Sequence, residues 1–276
     1  MDMIEKIKQK LEGLEPIALS QMKGVKLMNR TDTKYVVRLP KLLELLEASQ
    51  QDYFVQTNLE GERMAAYHTI YLDTPDHQMY TRHETGHKPR QKVRMRTYMD
   101  TGEAFLEIKH KNNHGRTGKK RMLMEVPNDS AEANQLVPKV LAKLGHDPLF
   151  TKIEGQLEPG ELAPDTLMPQ LENYFNRITL VNRGMSERLT IDLNLRFHNL
   201  ETENDASLDR LAIIELKRDG LTPSPMHDLL IKMHVHPGGF SKYCIGAALT
   251  NPTLRTNNFK ERLIWIKNLS KQEVKC

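Results

Sequence analysis

Polar and apolar residues alternate with a period of two through much of this chain, and longer-period stretches lie between. A period of two puts successive side chains on opposite faces of a strand, whereas a period of three to four marks one face of a helix. The most regular strand is ERLTIDLNLRF. Its Leu189, Ile191, Leu193, Leu195 and Phe197 fall on one predicted face, and Arg188, Thr190, Asp192, Asn194 and Arg196 on the other. Further strands are predicted over 27–38, in AAYHTIYLDT, near 91–99, 103–111 and 119–126, and near 172–181 and 210–217. Helices are predicted over 4–12, in LPKLLELLEAS with Pro40 in its first turn, over Asp76–Arg82, over 132–144 with Gly145 as cap, over 224–235, from about 241, and near 255–269. Residues 146–169 read as loop, with four prolines.

The polar faces of these strands share a chemistry. Arg30, Asp32 and Lys34 alternate in the first, Lys92, Arg94 and Arg96 in KVRMRTY, and Glu107, Lys109 and Lys111 in FLEIKHK. Arg188, Asp192 and Arg196 alternate in the long strand, and Glu215 and Lys217 in IIELK. Any one such face is ordinary for a sheet with one wet side. Repeated on five strands and biased towards cations, it predicts a surface for a polyanion. Residues two apart on a strand are about 6.5–7 Å apart, within reach of neighbouring groups on a phosphate chain.

Charge totals sharpen this. Lys and Arg number 40 against 36 Asp and Glu, a net charge of only +4, so the basic faces arise by segregation. The 276 residues suit one large domain or two small ones, and similar basic strands on both sides of 146–169 favour one. No apolar run approaches the roughly 18–20 residues of a membrane span. The N-terminal stretch lacks a signal-peptide core, and the two cysteines, Cys244 and Cys276, make a disulfide scaffold implausible, so a cytoplasmic location is expected. No CxxC pair or HExxH helix points to structural zinc. Aromatics are 6% of the chain and do not interleave with the basic residues, which argues against nucleic acid.

The ordered series R-x-D-x-K-Y, YLDTPDHQMY, KVRMRTY, LEIKHK, YFNRITL with ERLTID, IIELK and FSKYC resembles the VTC domain, of the triphosphate tunnel metalloenzyme (CYTH-like) superfamily, over about residues 26–248. The resemblance implies an α+β fold: an antiparallel β-barrel of about eight strands, forming a tunnel, with flanking helices in one domain. It implies a polyphosphate polymerase that moves phosphoryl groups from a nucleoside triphosphate such as ATP to inorganic polyphosphate, with Mn²⁺ or Mg²⁺. By motif, Lys34, Arg94, Arg96, Lys109, Arg177, Arg188 and Lys242 would act on the phosphates, and Glu215 would hold the metal. Ser241 would add a hydroxyl, and Lys217 and Arg30 would contact substrate. Two departures stand out. Arg30 occupies the place of the first carboxylate in the E-x-E-x-K signature of the CYTH-type hydrolases. Gly238 and Gly239 lie where the polymerase pattern places a second Lys before Lys242.

Residue chemistry agrees with phosphoryl transfer, which needs positioning and neutralisation more than acid–base work. Asp192 is expected to pair with and orient an Arg, while for Glu107 metal ligation and an ion pair stay open. Tyr67, Tyr71 and Tyr243 are expected to pack, and Trp265 to plug or pack. GRTGKK lacks the spacing of a phosphate-binding loop. A triphosphate or polyphosphate hydrolase and a non-catalytic polyphosphate-binding module are the other readings. Oligomeric state and a membrane-protein partner stay open.

Overall fold

The computed structural model describes residues 2–24, 30–114, 117–124, 166–220 and 222–271. Eleven strands form one sheet. In chain order these are β1 (Glu15–Ala18), β2 (Arg30–Arg38), β3 (Tyr53–Thr57), β4 (Ala65–Asp73), β5 (Arg90–Tyr98), β6 (Ala104–Lys111), β7 (Thr117–Met124), β8 (Met168–Asn182), β9 (Glu187–Asn199), β10 (Asp205–Leu208) and β11 (Leu211–Asp219). The described helices are α1 (Met3–Glu12), α2 (Leu39–Ser49), α3 (Gln78–Glu84), α4 (Pro225–Lys232), α5 (Lys242–Thr250) and α6 (Lys260–Lys271). The helix expected over 132–144 lies outside the described residues.

Eight strands follow one path, β2-β11-β9-β8-β4-β5-β6-β7, antiparallel throughout. The fold is α+β, with a curled half-barrel sheet. Charges show the curl: Lys109 on β6 feels Glu215 on β11 and both Lys34 and Asp32 on β2, near the opposite end of the path. Among the described residues, no pairing joins β2 to β7. The sequence pattern did not reveal β1, β3 or β10. Of these, β1 and β10 are four residues long, too short for a period to register. β1 runs parallel to β3, which pairs with β8, and β10 pairs with β9.

Alternation assigns each side its core. On the convex side Tyr35, Ile178, Leu180, Leu189, Ile191, Ile214 and Leu216 pack under α1, α2 and α4. The rest of the convex side is closed by Ile70, Leu72, Val93, Met95, Leu106 and Ile108, with Met79 of α3. The concave side carries the charged rows. Part of it is apolar, where Tyr71, Phe175, Leu195, Phe197 and Ile213 pack against α5 and α6.

The long strand departs from its expected single apolar face. Leu189, Ile191 and Leu193 join the convex core, but Leu195 and Phe197 join the concave one. The pairing of β8 with β9 slips between Tyr174 and Asn176, whose partners are Arg196 and Leu193, so β9 carries one extra residue. Asn194 takes the left-handed conformation there (φ 51°) and donates to Asn176 Oδ1 at 3.0 Å. Asn tolerates that conformation better than most residues, and a β-bulge of this kind turns the following side chains over. Arg196 consequently faces solvent, its side chain 72% exposed.

Two local devices seat α5. Ser241 Oγ accepts the Cys244 N–H at 3.2 Å and caps the helix. Asp73, fully buried, accepts the N–H groups of Met79 and Tyr80 at the start of α3 and also the Tyr243 hydroxyl, tying α3 to α5.

Candidate functional site

Register determines which charges meet on the concave face. Glu215 lies opposite Lys34 on one side and Thr190 on the other. Lys217 faces Arg188, Arg177 faces Asp192, and Arg94 faces Glu107. Lys109 lies between Lys92 and Lys119. Lys242 enters from the first turn of α5.

Three carboxylates organise seven of the cations. Asp192 takes the Arg177 guanidinium in two-point geometry, at 2.6 and 2.8 Å, and also binds Lys242. Glu107 accepts from Arg94 at 2.6 Å, binds Lys119, and lies 3.9 Å from Arg96. Glu215 meets Lys217 at 2.6 Å and Lys34 at 3.4 Å. Lys217 also donates to Thr190 Oγ1 at 2.9 Å, and Lys92 to Ser241 Oγ at 2.6 Å. The expected ion pair of Asp192 is present, and Glu107 also pairs with cations.

An aromatic floor lies beneath three of these cations. The Phe175 ring has Lys242, Arg177 and Arg96 at 4.5, 5.3 and 5.6 Å from its centroid, and Tyr67 stacks on it at 5.1 Å. Ring quadrupoles attract cations, so this floor favours the crowded charges. Tyr71 and Tyr243 are buried packing residues, as expected.

The electrostatics show how strained this concentration is. Burial pushes the Lys242 ammonium down to about 7, with Arg177 and Lys34 reinforcing burial against Asp192. Burial likewise lowers Lys92 and Lys217 to about 8 each, and Arg96 to about 10. Burial alone would raise the carboxylates, but cations override it. Arg94, Arg96 and Lys119 hold Glu107 at about 2, Arg177 and Lys242 hold Asp192 far below the usual range, and Lys34 and Lys217 do the same for Glu215. The lysines surrender charge more easily than the carboxylates, as a face with surplus positive charge must.

The structure thus brings together Lys34, Arg94, Arg96, Lys109, Arg177, Lys217, Ser241, Lys242 and Glu215. Arg188 shares the face as the cross-strand partner of Lys217. Arg30 opens β2 opposite Asp219, and its side chain lies outside those described. Sequence reasoning placed Lys92 on a basic strand face without naming it as a site residue, and gave no role to Lys119, Phe175 or Thr69, which accepts from Arg96 at 3.3 Å. Lys119 was in plain view in the basic KNNHGRTGKK stretch. Only the pairing of β7 with β6 shows that it reaches a buried carboxylate.

A family model matches most of the chain. The VTC domain model matches residues 29–251. The chain belongs to the VTC domain family. The match takes in β2 to β11 and the whole of α5, so it covers the strands and the helix that carry these charges. Solved structures similar to this VTC chain include a putative adenylyl cyclase from Hippeastrum, described as having a dominant triphosphatase activity. It is 14% identical, with a TM-score of 0.49, over 83% of this chain and 99% of that one. A putative adenylate cyclase from Vibrio parahaemolyticus is 10% identical, with a TM-score of 0.42, over 78% of this chain and 96% of the other. A search of curated proteins finds no match.

The family implies a divalent metal, and the donor set limits how one could be held. Among the described residues, no three His, Cys, Asp or Glu side chains gather as a metal cage. Glu215 is a single carboxylate already facing two ammonium groups. Such a site fits Mg²⁺ or Mn²⁺ arriving on phosphate oxygens, since these ions commonly take one or two carboxylates plus the substrate phosphates.

Proposed function

We propose that this protein is a polyphosphate polymerase, transferring the terminal phosphoryl group of a nucleoside triphosphate such as ATP to the end of an inorganic polyphosphate chain on its concave face. The observation that carries the reading is the surplus of cations on one face, seven of them shared by three carboxylates, in a VTC chain. Such a face is preorganised for a polyanion, and phosphoryl transfer draws most of its acceleration from positioning and neutralisation.

In this reading Arg94, Arg96 and Arg177 clamp phosphate oxygens with planar forks, and Lys34, Lys109, Lys217 and Lys242 supply point charges around them. Arg188, Arg30 and Ser241 complete the contacts. The nucleophile is the terminal phosphate oxygen of the growing chain, already ionised. It bonds to the γ-phosphorus as the bridge to the β-phosphate breaks, and nucleoside diphosphate leaves with the bonding electrons. No side chain has to remove a proton. Glu215 would hold Mn²⁺ or Mg²⁺ carried in on the phosphates, an ion that supplies Lewis-acid neutralisation when bound. Hydrolysis differs in needing an activated water. Arg30, where hydrolases place a carboxylate, favours polymer over hydrolysis. A cytoplasmic setting suits the ATP supply, and no described helix is long and apolar enough to cross a membrane.

Incubating the protein with ATP and Mn²⁺ and resolving polyphosphate from orthophosphate on a gel tests the proposal. Polymer is the expected product. Orthophosphate alone would make the protein a hydrolase, and no turnover with retained triphosphate binding would make it a binding module.

A further inference from the structure

The cation rows do not stop where the carboxylates stop. Lys92 and Lys109 are cross-strand neighbours on β5 and β6, and Arg90 and Lys111 are the next pair on the same face. Like charges directly opposite one another destabilise a sheet. Here two such pairs follow in succession, about 7 Å apart along the strands. Arg90 and Lys111 make no ion pair among the described residues. The surrounding cations help to depress Lys111 below its ordinary value: burial acts first, then Arg90 and Lys88.

A third cation arrives from a distant part of the chain. A Cβ built on Gly239 would lie 3.1 Å from Nη2 of Arg262 and 3.3 Å from its Cζ, so the α6 guanidinium lies across bare backbone two residues before Ser241. The adjacent Gly238 N–H donates to the Lys34 carbonyl at 2.8 Å, which anchors this loop to β2. The VTC pattern expects a Lys on this loop. Arg262 brings positive charge to the same place, and the missing side chain leaves it room. His83 registers the convergence. Burial, then Lys92, Arg90, Arg262 and Lys111, push its imidazole down to about 2, and its Nδ1 is buried without a partner.

We infer that Arg90, Lys111 and Arg262 form an outer anion site, continuous with the concave face, that holds the part of a phosphate chain extending beyond a triphosphate. This rests on the reading that the inner cations bind the reacting phosphates. The inner cations are partly balanced by Glu107, Asp192 and Glu215, whereas among the described residues the outer three have no carboxylate partner. Their charges lie along the β5–β6 rows that lead out from Arg94 and Glu107, so a linear polyanion anchored inside meets them in sequence. A compact nucleotide phosphate would be used up on the inner rows.

The test compares tripolyphosphate with a long-chain polyphosphate, binding each by titration calorimetry to the wild-type protein and to the Arg90→Gln/Lys111→Gln/Arg262→Gln variant. Wild type should bind the long chain more tightly. In the variant the long chain should lose about tenfold or more per cation removed, while tripolyphosphate affinity stays the same. Arg262→Lys, which keeps the charge, should retain most of the preference, separating charge from packing on Gly239. Parallel loss of both ligands, or none of either, would overturn the outer site while leaving the triphosphate reading in place. A wild-type protein that binds neither chain would overturn both.

Discussion

Asp192 is held from two elements at once, by Arg177 on the adjacent strand and by Lys242 on the first turn of α5. One carboxylate thus fixes two cations that the sheet alone would not bring together, and α5 is docked by charge as well as by its apolar underside.

Asp192→Asn should be costly without ligand. Its side chain is 5% exposed, and the change leaves two buried cations without their anion. Breaking a buried pair from one side costs about 3–5 kcal/mol. Tripolyphosphate should recover a larger share of stability in the variant than in wild type, because it replaces the missing negative charge. Urea unfolding with and without tripolyphosphate measures both. Equal stabilisation of the two proteins would place the ligand away from Arg177 and Lys242.

Glu215→Gln should separate binding from turnover. Phosphoryl transfer should be lost, since the carboxylate proposed to hold the metal is gone. Metal-free tripolyphosphate binding should persist or tighten, because Lys34 and Lys217 lose a competing anion. Full activity with Mn²⁺ would remove Glu215 from the metal role.

Arg94→Ala and Arg96→Ala should each weaken triphosphate binding by about 1.5–3 kcal/mol, the worth of a hydrogen bond to a charged group. Arg96→Ala should also lower stability more, because Arg96 is buried over Tyr67 and Phe175. Unchanged affinity in both would mean that the β5 row does not face the ligand.

Stability should rise with pH in the ligand-free protein. Lys242, Lys217 and Lys92 are held at about 7, 8 and 8, below the ordinary 10.5. Between about 8 and 10 the unfolded chain carries protons on these lysines that the folded chain lacks, and stability increases with pH wherever that holds. Above about 10 the slope reverses, because burial raises Tyr53, Tyr80 and Tyr243 and the unfolded chain releases their protons first. Polyanion binding should take up protons in the same interval and weaken as pH rises. Unfolding across this range, and calorimetry in buffers of different ionisation enthalpy, read the two effects. Stability that falls between pH 8 and 10 would contradict the buried-lysine account.

The strands that carry the site were legible because their two faces differ chemically: Arg94 and Arg96 alternate with Val93 and Met95, Glu215 and Lys217 with Ile214 and Leu216. Such contrast survives in one dimension. Partnerships across the sheet do not. Lys119 and Glu107 meet only because β7 pairs with β6, and Arg262 reaches Gly239 only because α6 folds back. The bulge at Asn194 was invisible for another reason. The alternation through LTIDLNLRF is unbroken in the sequence, and the one extra residue shows only against the count on β8.

That extra residue makes β9 serve two masters. Its first half seals the outside of the wall, and its second half offers Leu195 and Phe197 as the seat on which α5 rests. The placement of Lys242 therefore depends on parity, a matter of odd against even along a strand that Lys242 itself follows by some forty-five residues. Removing one residue there would delete no charge at all, yet it would turn the seat to the wrong side of the wall and leave the helix that carries the lysine without a berth.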